Sequence, residues 1–452
     1  MNLNRFQSVV GMCLALFVSL PAAAKVSEEK AAELGKSLTA VGAEMAGSQD
    51  GAIPPYKGGL PAKGALSDVV YPSNAEISAE KPLFVITGQN AAQYADKLSN
   101  GHLELLKRFP TYKMMVYPTH RTVSFPEHII SATKRNATAA ELVGTDGVRN
   151  AVHGFPFPIP TNGAEVIWNH KVRWRGYFLR RYNNQMIVQP SGEYLVTRIM
   201  EDIIWKYTNP KHDGRSEDLL FAYRSKTISP PRVAGDLLLV HETSDQANTP
   251  RLAWRYNPGI DRVNRAPEVG YDTPVIGTDG NQFYDQIDVF NGALDRYDWK
   301  LIGKKEMYIA YNAYATASPS LTYAKMATPK HFNQEVARYE KHRVWVVEAN
   351  LKNGFRHSFA RRIFYVDEDS WAISAVDCYD ERKGLFKFQE SHQTFFQNSQ
   401  AVGGLPEIIY DFSSGRYFVT ALANEDKSDD WSVSFDDGYF LATSLRAGKR
   451  SR

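Results

Sequence analysis

Apolar and polar positions alternate through most of the chain after Thr111, and each alternating run ends in a short polar turn. Alternation with a period of two marks strands that bury one face. The runs QMIVQPSGEYLVTRIMEDIIWKYTNP, LLLVHETSD, TPRLAWRYNPGIDRVNRAP, KEMYIAYNAY, GLFKFQESHQTFF and RYFVTALANED predict an antiparallel meander. One hairpin turns at Asn257-Pro258-Gly259. Helical patterns between strands are too few for repeated βαβ units, and no fixed period suggests a solenoid or propeller.

The stretch RVWVVEANLKNGFRHSFARRIFYVDEDSWAI, residues 343–373, is the most informative. Asn353-Gly354 predicts a two-residue turn, which sets Lys352 opposite Phe355, Glu348 opposite Phe359 and Val344 opposite Ile363. One face then collects Val344, Val346, Phe359 and Ile363, with Glu348 and Arg361 close enough to pair. The other collects Trp345, Val347, Ala349, Ala360 and Phe364, flanked by Arg343 and Arg362. A sheet with one wet side alternates more cleanly, so both faces require cover. A curled sheet around a helix and a hollow satisfies this, and so does a filled two-sheet sandwich.

Helix signals are sparse. Ser27 is placed to cap a short helix from Glu28, ended by Gly35. Asn90 is placed to cap a longer one, with Ala91, Tyr94, Leu98, Leu105 and Phe109 on one stripe; Gly101 is a point of interruption and Pro110 the stop. Three prolines in VHGFPFPIP exclude an interior strand and predict an extended edge or rim. Asn162-Gly163 marks a turn, followed by a short helix and a strand. Residues 25–65 are rich in Gly and Pro and read as an arm across the main body.

The apolar run Val9 to Leu20, after Arg5 and before Pro21-Ala22-Ala23-Ala24, has the layout of a secretory leader cut after Ala24. An exported periplasmic protein without a membrane span is expected, organised as a leader (1–24), an arm (25–65) and one large β domain with insertions (66–452). Loss of the leader removes Cys13, which leaves Cys378 as a lone buried thiol without a disulfide partner. The formal net charge is +3 and no basic run occurs, which argues against nucleic acid as a partner. Aromatic residues make up 12% of the chain, enough for large packed surfaces or apolar pockets.

Several segments carry a family resemblance. TAVGAEMAGSQDGAIPPYKGG, KRFPTYKMMVYPTHR, GFPFPIPTNGAEVIWNH, RAPEVGYDTP, FNGALDRYDWKLIGKKEMYIAYN and RYEKHRVWVVEANLKNG resemble the DUF1329 family of exported bacterial proteins, from about Leu38 to beyond Asp377. The resemblance implies a fold of the LolA and LolB type: mainly β (α+β), with a curved antiparallel sheet forming an incomplete barrel and helices plugging an apolar cavity. It therefore favours the hollow over the filled sandwich. Members are often labelled lipoprotein-sorting proteins and encoded near RND-type exporters and a companion outer-membrane protein. The resemblance supplies no catalytic residues, and the chain is much longer than a LolA-type carrier.

No H-E-x-x-H, paired Cys or G-x-S-x-G stands in the sequence. His102, His120, His128, His153 and His170 lack metal-ligand spacing, and the acidic groups Asp367-Glu368-Asp369, Asp429-Asp430 and Asp436-Asp437 read as turns. The expectation is a protein that is not an enzyme and has no cofactor or metal. A carrier or binding protein for a lipid or other bulky hydrophobic molecule is expected, with trafficking to or from the outer membrane as one role the resemblance implies. Trp254, Tyr256, Trp345, Phe364 and Trp371 are the candidate lining. The alternative is an accessory subunit of an RND-type export complex, docking through a sheet edge or the PFPIP rim.

Overall fold

The computed structural model describes residues 26–144, 146–209, 219–267 and 269–447, so the expected leader lies outside the described residues. Strands β1 (Phe84–Thr87) and β2 (Lys113–Val116) come first, then a separate ribbon of β3 (Glu141–Val143) and β4 (Gly147–Arg149). Next are β5 (Phe178–Tyr182), β6 (Asn184–Val188), β7 (Tyr194–Trp205), β8 (Leu219–Ser229), β9 (Leu237–Thr243), β10 (Leu252–Asn257) and β11 (Arg262–Arg265). The last group is β12 (Tyr297–Ala310), β13 (Tyr339–Leu351), β14 (Arg361–Asp367), β15 (Ile373–Tyr379), β16 (Leu385–Phe396), β17 (Ala401–Asp411) and β18 (Tyr417–Leu422).

All but β3 and β4 join one 16-stranded sheet, ordered β1-β2-β13-β14-β15-β16-β17-β18-β6-β7-β8-β9-β10-β11, with β12 also on β13 and β5 also on β7. The end strands β1 and β11 do not meet, so the curved sheet is an unclosed barrel. Seven pairings carry a bulge or register shift, and each such offset bends and twists the sheet locally. The pairing is antiparallel except where Tyr339 of β13 meets Val116 of β2 in parallel, so the sheet is mixed at that seam.

Both faces of the β13–β14 hairpin are buried over most of their length, and Glu348, Arg361 and Ile363 are left half-buried on one of them. Against one face lies the helix Gly163–Lys171, where Val166, Ile167, Trp168, Asn169 and His170 are all fully buried. A helix buried all round belongs at the centre of a fold. Asn162 starts it by accepting from the Glu165 N–H at 3.1 Å. The helix Asn100–Arg108 packs on β15 and β16 from the other side. Gly101 does not interrupt this helix; it permits the contact, because a Cβ there would sit 2.0 Å from the Phe388 ring. Asp377 of β15 caps the same end, accepting from the Gly101 N–H at 2.8 Å and the Asn100 N–H at 3.0 Å. The single helix expected from Asn90 is thus two: a 3₁₀ turn at Ala91–Lys97 and this α-helix, capped by Ser99.

The hairpin register differs from the expected one. Val347 pairs with Phe364 and Glu348 with Ile363, four positions from the pairing a two-residue turn imposes. The connection from Lys352 to Ala360 is longer because it folds into the core: Phe359 is fully buried and its carbonyl accepts from the Tyr297 hydroxyl at 2.7 Å. Four is an even number, so the strand side chains keep their expected faces.

The VHGFPFPIP segment forms no strand, and it is interior where a rim was expected: Phe155 and Phe157 are buried. Side-chain amides replace ladder partners. Asn136 bonds both the N–H and C=O of Val152, and Asn169 bonds both of those groups of Phe157. The N-terminal segment lies across the body, with the Leu60 N–H on the Thr122 carbonyl and the Lys63 N–H on the Gln397 carbonyl. No described helix is long and apolar enough to cross a membrane.

Candidate functional site

Strands β6–β10 build the second half of the sheet, and among the described residues its inner face is met by the segment 269–291, which includes the short 3₁₀ helix Tyr284–Gln286. Alternation sends Ile199, Glu201, Ile203 and Trp205 of β7 to that face, beside Phe221, Tyr223 and Ser225 of β8 and Leu238 and Val240 of β9. The irregular segment 269–291 supplies the facing wall through Val269, Val275 and Ile287. A cavity of about 160 Å³ remains between them.

One end of the cavity is charged. Arg181 and Glu201 stand on adjacent strands and pair at 2.8 Å, and Glu201 also accepts from the Tyr223 hydroxyl and the Asn183 amide, both at 2.7 Å. Arg173 and Arg175 converge on Asp288. Burial works to raise the Asp288 carboxyl, but the two arginines hold it well below the usual range. Glu407 of β17 is buried beside Asp288 and accepts the Val289 N–H at 3.2 Å. Burial, and then the Asp288 charge, push its pKa up to about 8, so it is a neutral hydrogen-bond donor near pH 7. The Arg175 Nε–H is buried with no partner among the described residues and leaves a second donor at this end. The arrangement offers apolar surface along β7–β9 and buried hydrogen-bond donors at its charged end.

None of the five aromatics expected to line a cavity lines this one. Trp254 and Tyr256 point from β10 to the opposite face. There Tyr256 packs with Phe440 and Leu445 of the C-terminal segment, and Trp254 meets the His241 ring edge-on at 5.0 Å. Trp345 stacks on Trp371 at 6.1 Å under the N-terminal arm, where the Trp371 indole donates to the Val41 carbonyl at 2.9 Å. Phe364 lies against Phe290 and Trp299, at 5.4 and 5.5 Å, in the core next to the Gly163–Lys171 helix. Trp345 and Trp371 are brought together, but as packing. The residues that do line the cavity left one signal: Arg181 and Glu201 interrupt strands that are otherwise largely apolar or aromatic.

The chain matches the model of DUF1329, described as a protein of unknown function, over residues 85–446. An uncharacterized protein of Pseudomonas aeruginosa is 44% identical over 429 residues, covering 94% of each chain. Among solved structures, a domain from Vibrio parahaemolyticus named for outer-membrane lipoprotein sorting aligns with 63% of this chain and 98% of its own, at 14% identity and a TM-score of 0.43. A LolA superfamily protein from Nitrosomonas europaea aligns with 62% of this chain and 98% of its own, at 11% identity and a TM-score of 0.38. With the family model spanning most of its length and a full-length relative at high identity, the chain belongs to the DUF1329 family.

Proposed function

We propose that this protein is a binding protein or carrier of the bacterial periplasm that shelters the apolar part of a bulky molecule. The cavity between β7–β9 and the segment 269–291 carries this reading. Its 160 Å³ is close to that of an engineered apolar cavity, about 150 Å³, that binds benzene. It therefore suits one ring or a chain end, with the rest of the ligand outside. Each methylene buried there contributes about 0.8 kcal/mol, so a short stretch of chain gives useful affinity without bond-making. The leader-like pattern at 1–24 supports export, and the arginine end supports an acidic or strongly polar group on the ligand.

The accessory-subunit reading loses one of its surfaces, since Phe155 and Phe157 of the PFPIP stretch are buried. It keeps the open edge strand β11, on which a membrane partner of the RND type would pair.

An organic extract of the purified protein, analysed by mass spectrometry, tests the carrier reading. A recurrent apolar species in stoichiometric amount is expected. Bare protein in native mass spectrometry, together with no binding of 1-N-phenylnaphthylamine, would overturn it.

A further inference from the structure

Away from the cavity, β13 and β14 bring three ligand-type side chains together. His342 lies on β13, Asp367 ends β14 and Asp369 follows in the turn; their exposures are 1%, 0% and 3%. One nitrogen or oxygen from each lies within 4.8 Å of the other two. The surrounding charges are already matched. Arg121 holds both oxygens of Asp369 at 2.8 and 2.6 Å, Lys304 holds Glu368 at 2.7 Å, and Arg338 holds Glu340 at 2.6 Å. Among the described residues no Lys or Arg pairs with Asp367.

The two oxygens of Asp367 differ. Oδ2 accepts from the Ser370 N–H and hydroxyl at 2.8 and 2.6 Å, and from the Tyr311 hydroxyl at 3.3 Å. Oδ1 is buried without any hydrogen-bond partner and faces His342 Nδ1 at 4.0 Å. That gap is too wide for a hydrogen bond. A cation with tetrahedral bonds of about 2.0–2.2 Å to nitrogen and oxygen would bridge these atoms once they close to about 3.4 Å, a movement of roughly half an ångström. The other ring nitrogen, Nε2, lies 3.2 Å from Glu340 Oε2. An imidazole that donates Nε2–H to Glu340 turns the Nδ1 lone pair toward Asp367, the orientation that carboxylate partners impose on metal-binding histidines. The Tyr311 ring lies 3.9 Å from the imidazole, centroid to centroid, tilted by 30°.

We propose that His342 Nδ1, Asp367 Oδ1 and a carboxylate oxygen of Asp369 form a site for one divalent cation of the Zn²⁺ or Mn²⁺ class. One imidazole and two carboxylates form a mixed nitrogen–oxygen set that suits these ions better than the all-oxygen sets of Ca²⁺. The ion supplies the charge partner that Asp367 lacks. The site is closed on all sides, so its role is structural. It ties β13 to the end of β14 and the turn that follows.

The full chain is unfolded with chelator and refolded with Zn²⁺, with Mn²⁺, or with no added metal, then desalted. Metal per chain is measured by plasma mass spectrometry and melting by calorimetry. One tightly held ion per chain and a higher melting temperature with metal are expected. Co²⁺ should add visible ligand-field absorption. Asp367→Asn and His342→Gln should lose the ion, the absorption and the thermal gain together. Wild-type protein that holds no ion above an unfolded control and melts alike in all three conditions overturns the site. Stoichiometric metal retained in both variants overturns it as well. If neither variant folds, the wild-type refolding series decides alone.

Discussion

Val347 stands opposite Phe364 across β13 and β14, four positions away from the register that a two-residue turn at Asn353-Gly354 would impose. The displacement is absorbed by the connection Lys352–Ala360, in which Gly354 is left-handed at φ +87° while Asn353 is not. Glu348 and Arg361 still approach to 3.9 Å on their shared face.

Core burial of Phe359 sets the longer connection, so removing its ring should be costly. Phe359→Ala is expected to destabilise the protein by about 3–5 kcal/mol, read from urea unfolding. A loss well under that range would mean that the turn residues set the register.

Ser225 lies in the cavity wall between Glu201 of β7 and Leu238 of β9. Ser225→Phe should fill the space and weaken 1-N-phenylnaphthylamine binding at least about tenfold, roughly 1.4 kcal/mol. Ile203→Ala enlarges the same cavity and should preserve binding. Equal affinities in wild type and Ser225→Phe would place the ligand elsewhere.

Glu407 makes stability depend on pH. Its folded pKa is about 8 against an ordinary value of 4.5. Between those values the folded state keeps a proton that the unfolded state has released, so rising pH favours unfolding. The contribution is complete below about 4.5 and lost by about 8. Glu407→Gln keeps the shape and removes the titration. Its melting temperature should fall less than that of the wild type between these limits, by the equivalent of a few kcal/mol, on the order of 1.4 per pKa unit. Parallel pH profiles for the two proteins would exclude this role.

The indole of Trp371 holds the arm through the Val41 carbonyl. Trp371→Phe leaves that carbonyl without its donor in a buried setting, at a cost of about 1–3 kcal/mol. Limited proteolysis should then release the N-terminal segment faster than in the wild type while the sheet stays intact by circular dichroism.

Strand identity and the two-sided burial of β13 and β14 were legible in the sequence, because side-chain direction follows a period of two and survives any even shift of register. The motifs that mark the family were legible too, since they are continuous stretches of chain. Pairing distance was not: whether Phe359 belongs to a strand or to the core is decided by contacts with Tyr297 and Phe283, far away in sequence. The cavity was hidden for the same reason. Trp254 and Arg255 are neighbours on one strand, yet the arginine faces the cavity and the tryptophan faces the other side. Only the C-terminal segment, folding over that second side, turned Trp254 and Tyr256 into packing and left the hollow to Arg181, Glu201 and Glu407. His342, Asp367 and Asp369 show no ligand spacing along the chain; a hairpin between them brings them into reach. Local alternation is a property of successive residues, whereas which face is covered, and by what, depends on groups that only the closed fold makes neighbours.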